Sequence, residues 1–131
     1  YPSECVIVRP TGIYGTSVTR MIKLAGTTKS YPKLHWSNRI HVDDLAAFLA
    51  HLLHVEHTEK SYICTNSRPL PLHEIIQWFQ QQLGLPALVL ESDVPSGKQI
   101  YATRMQQMNF ELQHPHCFDD YLALLEECES K

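Results

Sequence analysis

Cys5-Val6-Ile7-Val8 is an unbroken apolar run rich in β-branched residues, and Arg9-Pro10-Thr11-Gly12-Ile13-Tyr14-Gly15 follows it at once. A run of this kind is the mark of a strand buried on both faces, as in a parallel sheet. Pro10 has no N–H to give a ladder, and two glycines permit tight or left-handed backbone, so 9–15 is expected to be a loop at the strand's C-terminal edge. Open α/β sheets put their ligands at that edge. The polar lead Tyr1-Pro2-Ser3-Glu4 precedes the run, so the first element of the chain already reads as a central strand.

The remaining pattern predicts helices between short strands. Val18 to Ala25 predicts a helix ending near Gly26, then a polar loop from Thr27 to Tyr31 and an irregular stretch from Lys33 to Ile40 that is at most an edge strand. Asp43 is placed to cap a helix carrying Leu45, Phe48, Leu49, Leu52 and Leu53 as its apolar stripe. Ser61 to Thr65 reads as a second strand and Asn66 to Leu70 as a turn. Pro71 opens a helix with Leu72, Ile75, Ile76, Phe79 and Leu83 at helical spacing, and Gly84 closes it. Ala87 to Leu90 is a third strand, and Asp93 to Lys98 a loop. Helical turns are expected at Thr103 to Met108, then a helix from Phe118 to Cys128 with Phe118, Tyr121, Leu122 and Leu125 on one face. This alternation is α/β. Three strands make a poor sheet, so the chain is expected to be part of a longer protein or to finish its sheet against a second copy, as a homodimer.

Composition removes several classes of function. The 131 residues suit one domain, and at 44% hydrophobic and 19% charged they can bury a core. Eleven Lys and Arg against 14 Asp and Glu give a charge of -3, with no dense basic face for nucleic acid. No apolar run is long enough for a membrane span, and no secretion leader opens the chain, so a cytoplasmic protein is expected. Cys5, Cys64, Cys117 and Cys128 form no CxxC pair, and they are expected to be buried free thiols in a reducing compartment in preference to two disulfides. His51, His54 and His57 diverge around their helix and His114-Pro115-His116 reads as loop surface, so no metal site is assigned. GxGxxG, the Walker A loop and Tyr-x-x-x-Lys are absent from the sequence, and no catalytic residue is assigned.

Four segments in order carry a resemblance that covers nearly the whole chain. Val8-Arg9-Pro10-Thr11-Gly12-Ile13-Tyr14-Gly15 resembles the RPxxxYG segment of extended and atypical short-chain dehydrogenases/reductases, the NAD-dependent epimerase/dehydratase group. Asn38-Arg39-Ile40-His41-Val42-Asp43-Asp44-Leu45-Ala46 is similar to the NRIHVDDLA stretch that enters a core helix of that family. Tyr62 to Asn66 with Pro71 to Ile76, and the tail from Gly97 through Arg104-Met105 to His114-Pro115, resemble its later motifs. Two departures stand out: Thr16-Ser17 where Pro-Gly is frequent, and Gln107-Met108-Asn109-Phe110 where a Leu-Gly-Phe turn is common.

The resemblance implies the C-terminal part of an NAD(P)-binding Rossmann-type fold, residues 1–131 carrying the small substrate-binding subdomain. The nucleotide-binding half, with its glycine-rich turn, would lie upstream. It implies NAD or NADP as cofactor in the full-length protein and a small-molecule substrate such as a nucleotide sugar. Pro10, Thr11, Gly12 and Ile13 match the segment whose backbone lies by the nicotinamide. Arg20, Asn38 and Arg39 are candidates to face the substrate, since a guanidinium fork suits diphosphate or carboxylate. His41 is expected to anchor its loop. Trp78, off the apolar stripe, is expected at a domain surface, and Phe79 in the core. A non-catalytic NAD(P)-sensing protein, or a self-associating interaction domain on the same fold, is the alternative function.

Overall fold

The computed structural model describes residues 5–129, so the polar lead Tyr1–Glu4 lies outside the described residues. In chain order the elements are β1 (Ile7–Pro10), β2 (Gly12–Tyr14), α1 (Thr19–Thr27), β3 (Ser30–Tyr31), β4 (Leu34–Ser37), β5 (Arg39–His41) and α2 (Val42–Leu52). There follow β6 (Ser61–Cys64), β7 (Leu70–Pro71), α3 (Leu72–Gln82), β8 (Val89–Leu90), β9 (Pro95–Ser96), α4 (Thr103–Gln107) and α5 (Cys117–Glu129).

The α/β class holds, but the sheet is not three strands long in sequence. β1 runs parallel to β6, β2 to β5, β3 to β8 and β4 to β9, while β7 lies antiparallel to β4. The segment 9–15, expected as a loop, is mostly strand. Pro10 sits opposite Cys64, and pairing continues past it because Thr11 N–H donates to the Cys64 carbonyl at 3.0 Å. The chain then changes partner: Gly12 N–H donates to the Asn38 carbonyl and β2 takes up β5. β4, expected at most as an edge, lies between β7 and β9. Several strands are two residues long, too short for any alternation to mark them.

β1 is not buried on both faces. Among the described residues it pairs with β6 alone, and Ile7 is 53% exposed while Val8 packs inward. Ile63 on β6 is also exposed, so this parallel ladder leaves two isoleucines uncovered beside exposed Arg9.

α3 follows its sequence pattern, with Ile75, Ile76 and Phe79 fully buried and Gly84 at φ +71° just beyond its end. Each such side chain contributes ~1.5–3 kcal/mol relative to exposure. Pro71 is its N-cap. Buried Gln80 donates to the Ala25 and Thr28 carbonyls and accepts from Leu88 N–H, tying the end of α1 to the approach of β8. α1 runs through Gly26 to Thr27.

Two apolar clusters result. One joins α1, α3 and α5 through Met21, Ile76, Phe79, Tyr121 and Leu125. The other sets Phe48 of α2 against Ile40, Tyr62, Cys64 and Met105. The α2 stripe differs from expectation. Leu49 and Leu53 are exposed and Asp44 is buried, because α2 stops at Leu52 and turns its inner face through Asp44 and Phe48. On α5, Leu122 is exposed while Tyr121 and Leu125 are buried. Trp78 is half-buried, stacked on Phe118 of α5 at 5.1 Å, so it joins two helices.

Candidate functional site

β2, β5, α1 and α5 meet around a cleft of about 300 Å³. Ile13 and Tyr14 enter it from β2, Ser17 and Arg20 from the start of α1, Ser37 and Arg39 from the β4–β5 segment, and Tyr121 from α5. Three of the residues singled out in the sequence, Ile13, Arg20 and Arg39, therefore share one cleft.

Arg39 is the best-fixed charge there. Its carbonyl accepts from Asn66 N–H at 2.8 Å and from Thr65 Oγ1 at 3.1 Å, so its backbone is clamped between neighbouring segments. Its guanidinium carbon lies 5.9 Å from the centre of the Tyr121 ring, within range of a cation–π contact. Its Nε is buried with no hydrogen-bond partner. A buried donor of this kind costs free energy until an acceptor reaches it. Tyr121 is itself held by Phe79 at 5.0 Å and Tyr14 at 5.2 Å, and burial pushes its hydroxyl up to about 12, so it meets the arginine as a neutral ring.

Asn38 is not among the residues lining the cleft. Its amide donates to the Lys98 carbonyl at 2.7 Å and accepts from Ile100 N–H at 2.8 Å, pinning the tail segment instead. The backbone at Thr11 and Gly12 is also less free than a strand end suggests, since both N–H groups are spent on carbonyls of this chain. The missing Cβ of Gly12 serves that contact: one placed there would stand 3.0 Å from the Asn38 carbonyl. Pro10 and Ile13 keep exposed side chains on the same edge.

Beside the cleft lies a polar network that the sequence pattern does not announce. His41, not Asp43, caps α2: its Nδ1 accepts from Asp43 N–H at 3.0 Å. The His41 ring stacks on His114 at 3.6 Å and meets Tyr14 edge-on at 5.1 Å. His114 is thus not loop surface. Its Nδ1 lies 2.6 Å from Asp120 Oδ1, and Asp120 Oδ2 accepts from the Tyr14 hydroxyl at 2.7 Å. Buried Asp44 accepts from the N–H groups of Gln113 and His114, one on each oxygen. The signal in the sequence is Asp44 itself, four residues before Phe48 on the inward face of α2, where a carboxylate requires partners. Burial, and then the Asp120 carboxylate, push Tyr14 far above the usual phenol range, so it serves as a hydrogen-bond donor.

His41, His114 and Asp120 bring one ligand atom each within 4.8 Å. The imidazole planes are only 8° from parallel and stacked, so their in-plane lone pairs run side by side and do not converge on one ion. Asn109 stands at φ +58° in the turn where the resembling family has glycine, a conformation that asparagine tolerates.

The comparisons with known proteins agree with this architecture. The NAD-dependent epimerase/dehydratase structure from Methylobacillus flagellatus is 32% identical over 95% of this chain and 47% of its own, with a TM-score of 0.73. The chain carries the fold of the NAD-dependent epimerase/dehydratases. dTDP-glucose 4,6-dehydratase from Bacillus anthracis, solved with NAD, matches at 15% identity over 95% of this chain and 45% of its own, TM-score 0.69. WbmG from Bordetella bronchiseptica, also with NAD, matches at 12% identity over 93% and 43%, TM-score 0.68. The chain thus spans about half the length of these epimerase/dehydratase structures. No family model and no curated protein matches it. No helix among the described residues is long and apolar enough to cross a membrane.

Proposed function

We propose that this chain is the C-terminal, substrate-binding part of an NAD(P)-dependent oxidoreductase or nucleotide-sugar epimerase/dehydratase of the cytoplasm. The observation that carries the reading is Arg39, a backbone-clamped guanidinium with a buried, unpartnered Nε, in one cleft with Arg20 and Ile13. Two guanidinium groups in one cleft, that of Arg39 over the Tyr121 ring, suit the diphosphate of a nucleotide sugar, which offers several anionic oxygens to forked donors. Ser17, His35 and Ser37 add further polar groups to the same lining. NAD(P), when bound, supplies the hydride acceptor and donor. Pro10 and Ile13 would lend it an apolar wall, and Thr11 and Gly12 would set that wall's position through their bonds to Cys64 and Asn38.

Calorimetric titration of the protein with uridine diphosphate tests the cleft. Measurable affinity that falls at least about tenfold in Arg39→Met, and less in Arg20→Met, is the expected result. Equal affinity in wild type and Arg39→Met would remove the anion-binding role.

A further inference from the structure

The network beside the cleft is centred on one titratable group that the proposed chemistry does not use. His114 lies between α4 and α5, and polar or titratable groups face it from four elements. Tyr14 on β2 points its hydroxyl toward the His114 carbonyl at 3.3 Å, and His41 on β5 lies flat against its ring. From α2, Asp44 holds its N–H at 2.9 Å and Asp43 Oδ2 stands 3.8 Å from Nε2. From α5, Asp120 takes its Nδ1. Three carboxylates therefore stand around His114, and the neighbouring His41 Nδ1 is already engaged by the Asp43 N–H.

We propose that His114 is a proton-controlled latch: as imidazolium it turns one N–H to Asp120 in the first turn of α5 and the other to Asp43 in the first turn of α2, and on losing a proton it keeps Asp120 and releases Asp43. The consequence for the cleft follows from α5. Tyr121, one residue after Asp120, is the floor beneath Arg39, so the latch governs how firmly that floor is seated. This last step rests on the cleft reading above, whereas the latch itself does not.

The direction of the pH effect is fixed by the partners. The Asp120 hydrogen bond raises the His114 pKa above its ordinary 6.5, against a smaller lowering by burial. A proton held more tightly in the folded state contributes stability that is complete below the unfolded value. That stability is lost as pH rises through the folded value. The latch is closed in mild acid and opens on the alkaline side of 6.5.

The test is proton NMR of the ligand-free protein, following the His114 ring from about pH 6 to about pH 8, with amide-exchange protection at Gln113 and His114. The expected midpoint lies above 6.5, moves down in Asp120→Asn, and coincides with a loss of protection at both amides. His114→Gln is expected to melt lower than wild type in mild acid and to lose the pH dependence. A wild-type midpoint at or below 6.5, or protection that ignores it, overturns the latch. Should His114→Gln fail to fold, the wild-type midpoint and protection decide alone. Failure of uridine diphosphate to bind at any pH would strike the cleft reading and leave the His114 midpoint standing.

Discussion

His41 and His114 lie face to face, ring centroids 3.6 Å apart and planes 8° from parallel, across 73 positions of sequence. The stack joins a residue that caps α2 to the segment that delivers α5. It therefore couples the wall of the cleft to its floor.

Gly15 protects one side of that stack. It sits at φ +115°, and a Cβ there would lie 2.5 Å from His41 Nε2. Gly15→Ala must strain the backbone and displace the imidazole together. A loss of more than about 1 kcal/mol is expected. The urea midpoint of the variant measures it, and an unchanged midpoint would mean that His41 yields freely.

Gly26 should respond with the opposite sign. It lies within α1, and a methyl group added there would meet nothing within 4 Å. Gly26→Ala lowers the entropy of the unfolded chain at no steric cost, and a gain of about 0.5–1 kcal/mol is expected in the same urea titration.

Asp44→Asn tests the clamp on the tail. An amide can offer one oxygen where the carboxylate offers two, and its NH2 would confront the N–H of Gln113 or His114. A cost of roughly 1–3 kcal/mol is expected. Hydrogen exchange should show the loss first at those two amides, and exchange spread evenly over α2 would argue for a general rather than a local effect.

The thiols divide into two pairs. Cys5 and Cys128 are exposed, while Cys64 and Cys117 are buried, with burial pushing both buried thiols up to about 11. A colorimetric thiol titration of the native protein near neutral pH should therefore count two fast groups of four, and all four in denaturant. Rapid reaction of a third would show that the packing over Cys64 or Cys117 opens in the native protein.

The helices are the legible part of this fold. Leu72, Ile75, Ile76 and Phe79 keep the helical period and are buried or half-buried along α3. The short strands are not legible, since β3, β7, β8 and β9 have two residues each and owe their existence to partners far away in sequence. In the cleft, Ile13 is identifiable through the family segment that it matches, and Arg20 and Arg39 through the forked donors of their side chains. Asn38 escapes such reasoning because its partners, Lys98 and Ile100, lie about sixty residues downstream. His114 escapes it for the same reason: a His-Pro-His triplet carries no local signal, and its meaning comes from Asp44, 70 positions earlier.

The clamp on the Arg39 carbonyl also bears on how quickly and how tightly an anion could be held. With its backbone fixed by Thr65 and Asn66 and its head resting over Tyr121, Arg39 has little motion left to surrender when a ligand arrives. An arginine carries ~2 kcal/mol of rotamer entropy, and here much of it was spent when the chain folded. Arg20, on the exposed side of α1, has that entropy still to lose. Of two chemically equal cations, one has its head placed over an aromatic ring and the other is exposed, and the difference arises from where Tyr121 sits, not from the charges themselves.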